Sequence, residues 1–202
     1  MRHTLRRICA GSFISAAFFT SCIGGSGGSS PSTPRFIDET LSAGVQHVYD
    51  GEFPFFVGGG VAVFDCNGDD LPELFFAGGE NDSALYLNAS VRGGELRFQQ
   101  SDAAIVKRQH VTGAYPINID GDQMIDLVVL GRGGNTILRG LGDCKFDDAT
   151  TSLGLDVASD WTIGFSATWE AGASLPTLAF GNYLVPDTYD CSSNKLFRPT
   201  GR

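Results

Sequence analysis

Histidine, basic residues and long apolar runs are scarce in this chain of 202 residues. Beyond the N-terminal segment no run approaches the ~20 apolar residues that a membrane-spanning helix needs. No window of about 11 residues shows a convincing helical period either. Hydrophobic residues nevertheless make up 42% of the chain, which is too many for a disordered protein. The sequence therefore predicts one folded domain, or part of one, that is not built from helices.

The charge balance is acidic and argues against one class of partner. Lys and Arg number 14 and Asp and Glu 23, for a formal net charge of −9. Arg2, Arg6 and Arg7 lie in the N-terminal leader, so 11 basic residues stand against 23 acidic ones in the rest, a balance of −12. Nucleic acid is therefore not expected as a partner, whereas a cation is.

The sequence offers few groups for catalysis. His3 lies in the leader, and neither His47 nor His110 has an HExxH or GxSxG motif nearby, so we interpret both as surface or turn residues. Trp161, in a predicted loop, is a candidate for contact with a sugar or a protein. We expect a protein that is not an enzyme.

The first 21 residues have the pattern of an export signal. A basic start is followed by the apolar run Ile8–Thr20, which is too short to anchor the chain as a stable span. The run ends at Phe19-Thr20-Ser21-Cys22, which resembles a bacterial lipobox except for Phe19, so Cys22 is predicted to be lipidated. An ordinary signal peptide cleaved near Ser21 is the alternative.

Residues 22–34 are rich in Gly and Ser and are predicted to form a flexible tether after the lipid. Several acyl chains on Cys22 would hold the protein at a membrane, which is the membrane contact that we expect. Ile23 in place of Asp after the cysteine favours the outer membrane or cell surface. The alternative location is the periplasm or the medium.

The rest of the chain repeats. The segment Gly59–Gly78 recurs 53 residues later as Thr112–Gly131, and a weaker third copy occupies Ile163–Gly181. Each unit contains short apolar or alternating runs separated by Gly, Asn and Asp turns. Four strands in about 50 residues is the period of a β-propeller blade. Residues 35–202 are therefore predicted to be all-β, a partial β-propeller of four-stranded antiparallel blades.

About three blades' worth of strands is predicted. The strands are 60–64, 74–77, 84–88 and 96–100, then 113–119, 127–131, 136–139 and 145–148, then 164–169, 178–183 and 195–198, with a leading strand at 35–40. Glycine opens each first strand, which suits the crowded axis of a propeller. Pro116 is awkward in such a strand because it removes a ladder donor. Because the third blade is incomplete, we expect a truncated N-terminal portion.

Two loops of the repeat carry oxygen ligands at alternating positions. The candidate ligands are Asp65, Asn67, Asp69, the Leu71 carbonyl and Glu73, and in the second loop Asn118, Asp120, Asp122, the Met124 carbonyl and Asp126. Positions one, three and five of a tight turn can converge, and oxygens at positions seven and nine complete the shell that Ca²⁺ prefers. Three carboxylates in one loop also repel one another unless a cation lies among them.

Turn chemistry alone is the alternative, because Asp, Asn and Gly form hairpin turns without a metal. The same pattern at the same place in two repeats favours calcium. The third loop has Trp169, Ala171, Ala173 and Thr177 at the matching positions, and we expect no metal there.

Three cysteines remain after the leader: Cys66, Cys144 and Cys191. Export permits disulfides, and an odd number leaves at least one thiol free or paired outside the chain. Cys66 also offers a thiolate within the first acidic loop, although calcium prefers oxygen.

The acidic loops carry a family resemblance. The pattern Asp-x-Asn-Gly-Asp-x-x-x-acid-Leu, between two apolar strands, resembles FG-GAP/VCBS repeats. The stretch Leu141–Thr150 is similar to the family's Gly-Asp-Gly-x-Phe-x-Asp-Val-Thr. Gly181-Asn182-Tyr183, Cys191 and Leu196–Pro199 are similar to the bacterial branch related to cartilage acidic protein.

The resemblance implies the β-propeller of integrin α-subunits and many bacterial surface proteins, with Ca²⁺ in the acidic loops. It implies an extracytoplasmic module for adhesion or for interaction with a protein or polysaccharide. The alternative is the N-terminal part of an exported propeller enzyme or carbohydrate-binding protein whose active residues lie beyond residue 202. Asp70 and Gln123 stand where the family usually has Gly, and if that position needs a positive φ both are strained. Asn118 replaces an acid at position one. Both departures predict weak calcium affinity, ~10⁻⁴–10⁻³ M.

Overall fold

The computed structural model describes residues 33–55 and 59–200. The regular elements of the described residues all lie within the unit Asp38–Arg202. The described residues contain strands and one 3₁₀ turn at Ala104–Val106, and none of them forms an α-helix. None therefore forms a helix long and apolar enough to span a bilayer. The prediction that residues 35–202 are all-β is confirmed for the part of this range that the structure describes.

Within the described residues, eleven strands form three antiparallel sheets, in each of which consecutive strands are neighbours. The first sheet has β1 (Val61–Phe64), β2 (Glu73–Phe76), β3 (Ala84–Asn88) and β4 (Phe98–Gln100), the second has β5 (Val111–Ile117), β6 (Asp126–Gly131), β7 (Thr136–Gly140) and β8 (Phe146–Asp148), and the third has β9 (Thr162–Thr168), β10 (Thr177–Asn182) and β11 (Lys195–Phe197). The predicted strands inside the three repeats are thus found, with bounds that differ by at most two residues.

The second sheet is buried on both faces. Leu127 and Val129 belong to an apolar core shared with the first sheet, whereas Val128 and Leu130 belong to a core shared with the third. All four side chains are at most 2% exposed. Alternate residues of a strand point to opposite faces, so a continuous apolar run such as Leu-Val-Val-Leu is what a doubly covered strand requires. The three repeats therefore pack against one another in sequence order.

The first strands of the sheets approach one another closely. The backbone nitrogen of Gly60, just before β1, donates to the carbonyl of Thr112 in β5 (3.0 Å), and the Thr112 hydroxyl donates to the carbonyl of Thr162 in β9 (2.9 Å). A Cβ at Gly60 would lie 3.1 Å from the Gly113 Cα, so a side chain has little room. A Cβ at Gly164 would meet nothing within 4 Å, so the expected crowding holds at Gly60 and not at Gly164.

The predicted leading strand at 35–40 is wrong. Residues 33–39 have no regular structure, and a turn begins at Thr40. The Thr40 backbone nitrogen donates to the Asp38 carboxylate (2.9 Å), a local bond of the kind by which Asp competes with a strand ladder.

The segment that follows this turn instead packs on the first sheet. Val45 and Tyr86 are buried in one small apolar cluster, and the Gln46 backbone nitrogen donates to the Tyr86 hydroxyl (3.2 Å). The Phe98 backbone nitrogen donates to the Ala43 carbonyl (2.8 Å). The segment therefore covers a sheet surface without joining the meander.

Pro116 lies inside a strand after all. It pairs with Leu127 in the register of β5 and β6, and β5 is at one edge of its sheet. An edge strand has one side without a ladder partner, so the missing N–H of proline is tolerated there.

Candidate metal site

The first acidic loop is held by side-chain to backbone hydrogen bonds. Asp65 Oδ1 accepts from the backbone nitrogens of Asn67 (3.2 Å) and Gly68 (2.7 Å), and Oδ2 accepts from that of Asp70 (2.8 Å). One carboxylate therefore gathers three N–H groups of the turn, as Asx turns do.

The middle of the first loop continues this pattern. Asn67 Oδ1 accepts from the Asp69 backbone nitrogen (3.0 Å), and Asp69 Oδ1 accepts from that of Leu71 (2.8 Å). Asn67 Nδ2 also donates to Asp69 Oδ2 (3.1 Å). The side chains at positions one, three and five thus all turn toward donors of their own loop.

The second loop repeats the arrangement. Asn118 Oδ1 accepts from the Gly121 backbone nitrogen (2.7 Å), matching the bond from Gly68 to Asp65. Asp120 Oδ1 accepts from the Asp122 backbone nitrogen (3.1 Å), and Asp122 Oδ1 accepts from that of Met124 (2.8 Å). The two loops therefore share a hydrogen-bonding pattern as well as a sequence pattern.

The backbone of the two loops also matches. Position four is glycine in both, with φ of 78° at Gly68 and 81° at Gly121. Position six has φ of 59° at Asp70 and 76° at Gln123, so position six does require a positive φ. A non-glycine residue in this region costs roughly 1–2 kcal/mol, and each loop therefore carries modest strain at that residue.

The ninth position of each loop is a buried carboxylate at the start of the second strand. Glu73 and Asp126 are both 0% exposed. Glu73 Oε2 accepts from the Cys66 backbone nitrogen (3.0 Å), and Asp126 Oδ2 accepts from that of Ile119 (2.7 Å). Each carboxylate therefore closes its own loop back onto position two.

The other oxygen of each buried carboxylate reaches the third strand of its sheet. Glu73 Oε1 accepts from the Asn88 backbone nitrogen (3.5 Å), and Asp126 Oδ1 accepts from that of Gly140 (2.8 Å). Asn88 and Gly140 are the last residues of β3 and β7. The ninth residue therefore fixes the loop against the sheet in both repeats.

The electrostatics of the loops differ between their tips and their bases. Burial, and to a smaller extent the charges of Asp120 and Asp122, raise the pKa of Asp126 to about 6 against the lowering effect of the two backbone hydrogen bonds. Burial likewise raises the pKa of Glu73. At the half-buried first position, burial is the largest single influence and raises the pKa of Asp65, but the backbone N–H groups that its carboxylate accepts from together lower that pKa below its ordinary value. A cation at either loop would therefore favour the charged form of a carboxyl that otherwise holds its proton more tightly.

The carboxylates of one loop do not meet at one point in this structure. Among the described residues, the group of His, Cys, Asp or Glu whose ligand atoms all lie within 4.8 Å of one another is Cys66, Glu73 and Cys144. Asp65, Asp69 and Glu73 form no such group, nor do Asp120, Asp122 and Asp126. The oxygen donors fit a hard cation in kind, but the structure turns their side chains toward the loop's own N–H groups.

The third loop keeps the turn and has different side chains. Gly172 at position four has φ of 81°, as in the other loops. Thr177, at position nine, donates its hydroxyl to Glu170 Oε1 (2.9 Å), and the Arg198 guanidinium pairs with the same carboxylate. The third loop is therefore closed by a hydroxyl hydrogen bond and an ion pair, where the other two loops use a buried carboxylate.

A disulfide joins the first loop to the second sheet. Cys66, at position two, is bonded to Cys144 in the β7–β8 turn, with a Cα–Cα distance of 4.7 Å, and Cys191 is an exposed free thiol. The sequence left this pairing open, because three cysteines allow three alternatives. The contact between the first acidic loop and the β7–β8 turn joins segments that are distant in sequence, so no local pattern predicts it.

An aromatic cluster surrounds Trp161. The ring centroids of Tyr183, Tyr189 and Phe53 lie 5.2, 6.4 and 6.5 Å from that of Trp161, and the Arg132 guanidinium lies 5.5 Å from it. Trp161 is only 3% exposed, so it supports the cluster from within. The outer three rings are 46–57% exposed. The sequence pointed to Trp161 alone, because the other members are distant along the chain.

The two histidines are placed by ring contacts. His110 is exposed and stacks on Phe55, and His47 stacks on Phe76 with Nε2 3.2 Å from the Asp82 carbonyl oxygen. The predicted lipidation residue Cys22 lies outside the described residues.

The chain matches no protein-family model, and no curated protein is significantly similar to it.

Proposed function

We propose that this chain is a calcium-binding, extracytoplasmic repeat module of the FG-GAP/VCBS type that acts in interaction or adhesion. The observation that carries the proposal is the pair of acidic loops, which share ligand spacing, hydrogen bonds, φ pattern and a buried ninth carboxylate. Turn formation alone needs neither three carboxylates in each loop nor the burial of one of them, since burying a charge is costly. A bound cation would account for both.

Calcium would be held by oxygen atoms of the same residues in each loop. In the first loop these are Asp65, Asn67, Asp69, the Leu71 carbonyl and Glu73, and in the second Asn118, Asp120, Asp122, the Met124 carbonyl and Asp126. The ion supplies positive charge to a cluster of three carboxylates and so stabilises the tip of a hairpin. Because the side chains now bind backbone donors, ion binding requires some of them to reorient, which is consistent with weak affinity.

The arrangement of the sheets supports a propeller-like assembly. The three sheets follow one another along the chain, each is an antiparallel meander, and their first strands lie side by side at Gly60, Thr112 and Thr162. We therefore propose that they are consecutive blades of a β-propeller.

The test of calcium binding is thermal unfolding of the oxidised chain after treatment with EDTA. With an affinity of ~10⁻⁴–10⁻³ M, calcium at about 10 mM should contribute about 1–3 kcal/mol per site. For a domain of this size the melting temperature should rise by about 3 °C or more. An unchanged melting temperature in a folded chain would reject calcium binding.

Matched variants separate ion binding from turn stability. Asp69→Asn and Asp122→Asn remove one charge at position five of each loop and keep the oxygen that accepts the Leu71 or Met124 N–H. The double variant should lose the calcium response while its ion-free melting temperature changes little. Asp102→Asn, an exposed acid outside the loops, should keep the full response.

A second function is favoured by the aromatic cluster. Half-exposed Phe53, Tyr183 and Tyr189 around a buried Trp161 suit the apolar faces of sugar rings, so carbohydrate binding is the alternative that we propose to test. Titration calorimetry with neutral hexasaccharides of glucose and of N-acetylglucosamine should give binding that Tyr183→Ala abolishes. Tyr115→Ala, a similarly exposed tyrosine elsewhere, is the matched control.

A further inference from the structure

The disulfide Cys66–Cys144 lies against a buried carboxylate. Glu73 Oε2 is 3.3 Å from Cys66 Sγ, and a ligand atom from each of Cys66, Glu73 and Cys144 lies within 4.8 Å of the other two. A disulfide sulfur carries no proton, so this short contact is not a hydrogen bond in the oxidised chain. A carboxylate placed against sulfur in this way fits the reduced form of the pair, in which a thiol can donate to it or both can bind a cation.

Contacts other than the S–S bond hold the three groups together. The Cys144 backbone nitrogen donates to the Cys66 carbonyl (3.1 Å), and the Cys66 backbone nitrogen donates to Glu73 Oε2 (3.0 Å). The apolar core shared by the first two sheets lies beside them, and both cysteines pack on it. Breaking the S–S bond therefore leaves two thiols and one carboxylate at the same place.

We propose that the reduced chain binds a zinc-class divalent cation through Cys66, Cys144 and Glu73. Two thiolates and one carboxylate form a donor set that zinc prefers and calcium does not. Three protein ligands leave a fourth position for water. The link between the first two sheets then exists in two forms, a covalent one when oxidised and a metal-bridged one when reduced.

Conversion of the disulfide form to the metal-bridged form takes two steps, reduction and cation binding. A dithiol reductant gives two electrons and two protons to the disulfide, whose S–S bond breaks to leave two thiols, and the reductant is oxidised to its own disulfide. Binding of the cation then converts both thiols to thiolates and releases their two protons to the solvent.

The second loop supplies an internal contrast. It has the same buried carboxylate, Asp126, but Ile119 stands where the first loop has Cys66, so no sulfur lies at position two. The soft-metal site is therefore specific to the first loop. It shares Glu73 with the calcium site proposed for the first loop, but its other two ligand atoms are sulfur, which calcium does not favour, so cobalt binding tests it separately from calcium binding.

Cobalt is the probe for this site. The full chain is reduced with a trialkylphosphine, which is itself oxidised to the phosphine oxide with an oxygen atom from water. The phosphine is then removed under argon, and Co²⁺ is titrated into the reduced chain. We expect one equivalent to bind with thiolate-to-cobalt charge-transfer absorption and the visible bands of four-coordinate cobalt. Zinc should displace it stoichiometrically, excess calcium should not, and the oxidised chain should show no such absorption.

Variants assign the ligands. Cys144→Ser should abolish the charge-transfer absorption, Glu73→Gln should weaken cobalt binding at least tenfold, and Cys191→Ser should change neither. A reduced wild-type chain without the absorption would overturn the proposal, as would absorption that survives Cys144→Ser or is lost in Cys191→Ser. Loss of the near-ultraviolet circular dichroism on reduction, before metal is added, would also overturn it, because the site needs the folded chain.

Discussion

The carboxylate of Asp126, the first residue of β6, accepts a hydrogen bond of 2.8 Å from the backbone nitrogen of Gly140, the last residue of β7. Its other oxygen accepts from Ile119 at 2.7 Å, so one buried side chain joins the acidic loop to the neighbouring strand. Glu73 has the same role in the first sheet. The carboxylate at position nine is therefore part of the fold as well as a candidate ligand.

The first prediction concerns the pH dependence of stability without calcium. The pKa of Asp126 is raised from an ordinary 3.8 to about 6, so between these values the native state holds a proton that the unfolded chain has lost. The protonated Asp126 carboxyl therefore adds to the free energy of unfolding below about pH 4. This contribution, up to about 3 kcal/mol, is lost as pH rises to about 6. Urea unfolding of the wild type and Asp126→Asn in EDTA should show their difference falling over this range. If the free energies of unfolding of the two proteins changed with pH in parallel, the raised pKa of Asp126 would be contradicted.

The second prediction concerns the space at Gly140. A Cβ at this residue would lie 2.4 Å from the Ile125 carbonyl oxygen, which is backbone and cannot move aside cheaply. Gly140→Ala should therefore lower the free energy of unfolding by about 2 kcal/mol or more, as overpacking does. Gly164→Ala is the control, because a Cβ there meets nothing within 4 Å and the residue is also in a strand. Equal urea midpoints for the two variants would show that the sheet relaxes around Gly140.

The order of the strands could be predicted because its signals are local. The repeat of 53 residues, the turn residues and the run at Leu127–Leu130 each act through nearby sequence, and consecutive strands do pair. The leading strand at 35–40 failed because a strand needs a partner, which the sequence does not identify, and the Thr40 backbone nitrogen bonds to the nearby Asp38 carboxylate instead.

The acidic loops show both the reach and the limit of the sequence pattern. The spacing identified two equivalent loops, and the family resemblance raised the question of a positive φ at Asp70 and Gln123, which the structure answers. It could not show where the side-chain oxygens point, because several backbone N–H groups compete for them. The disulfide to Cys144 and the rings around Trp161 depend on packing between distant segments, and the sequence therefore left them open.

The third prediction separates the two positive-φ positions of the second loop. Gln123 has φ of 76° and Gly121 has φ of 81°. Gln123→Gly removes strain but adds unfolded-state entropy, so it should stabilise by at most about 1 kcal/mol, whereas Gly121→Ala should destabilise by about 1 kcal/mol. The urea midpoints of Gln123→Gly and Gly121→Ala test which of the two variants is the more stable. If Gly121→Ala were the more stable, the assigned turn geometry would be wrong.

The fourth prediction concerns the disulfide between Cys66 and Cys144, which are separated by 78 residues in sequence. A cross-link of this kind restricts the unfolded chain and stabilises by about 2–4 kcal/mol. The double variant Cys66→Ser/Cys144→Ser should lose that much free energy of unfolding in urea, whereas Cys191→Ser, at an exposed free thiol, should lose less than about 0.5 kcal/mol. An unchanged double variant would mean that the Cys144 to Cys66 backbone hydrogen bond and the shared apolar core hold the two sheets without the covalent link.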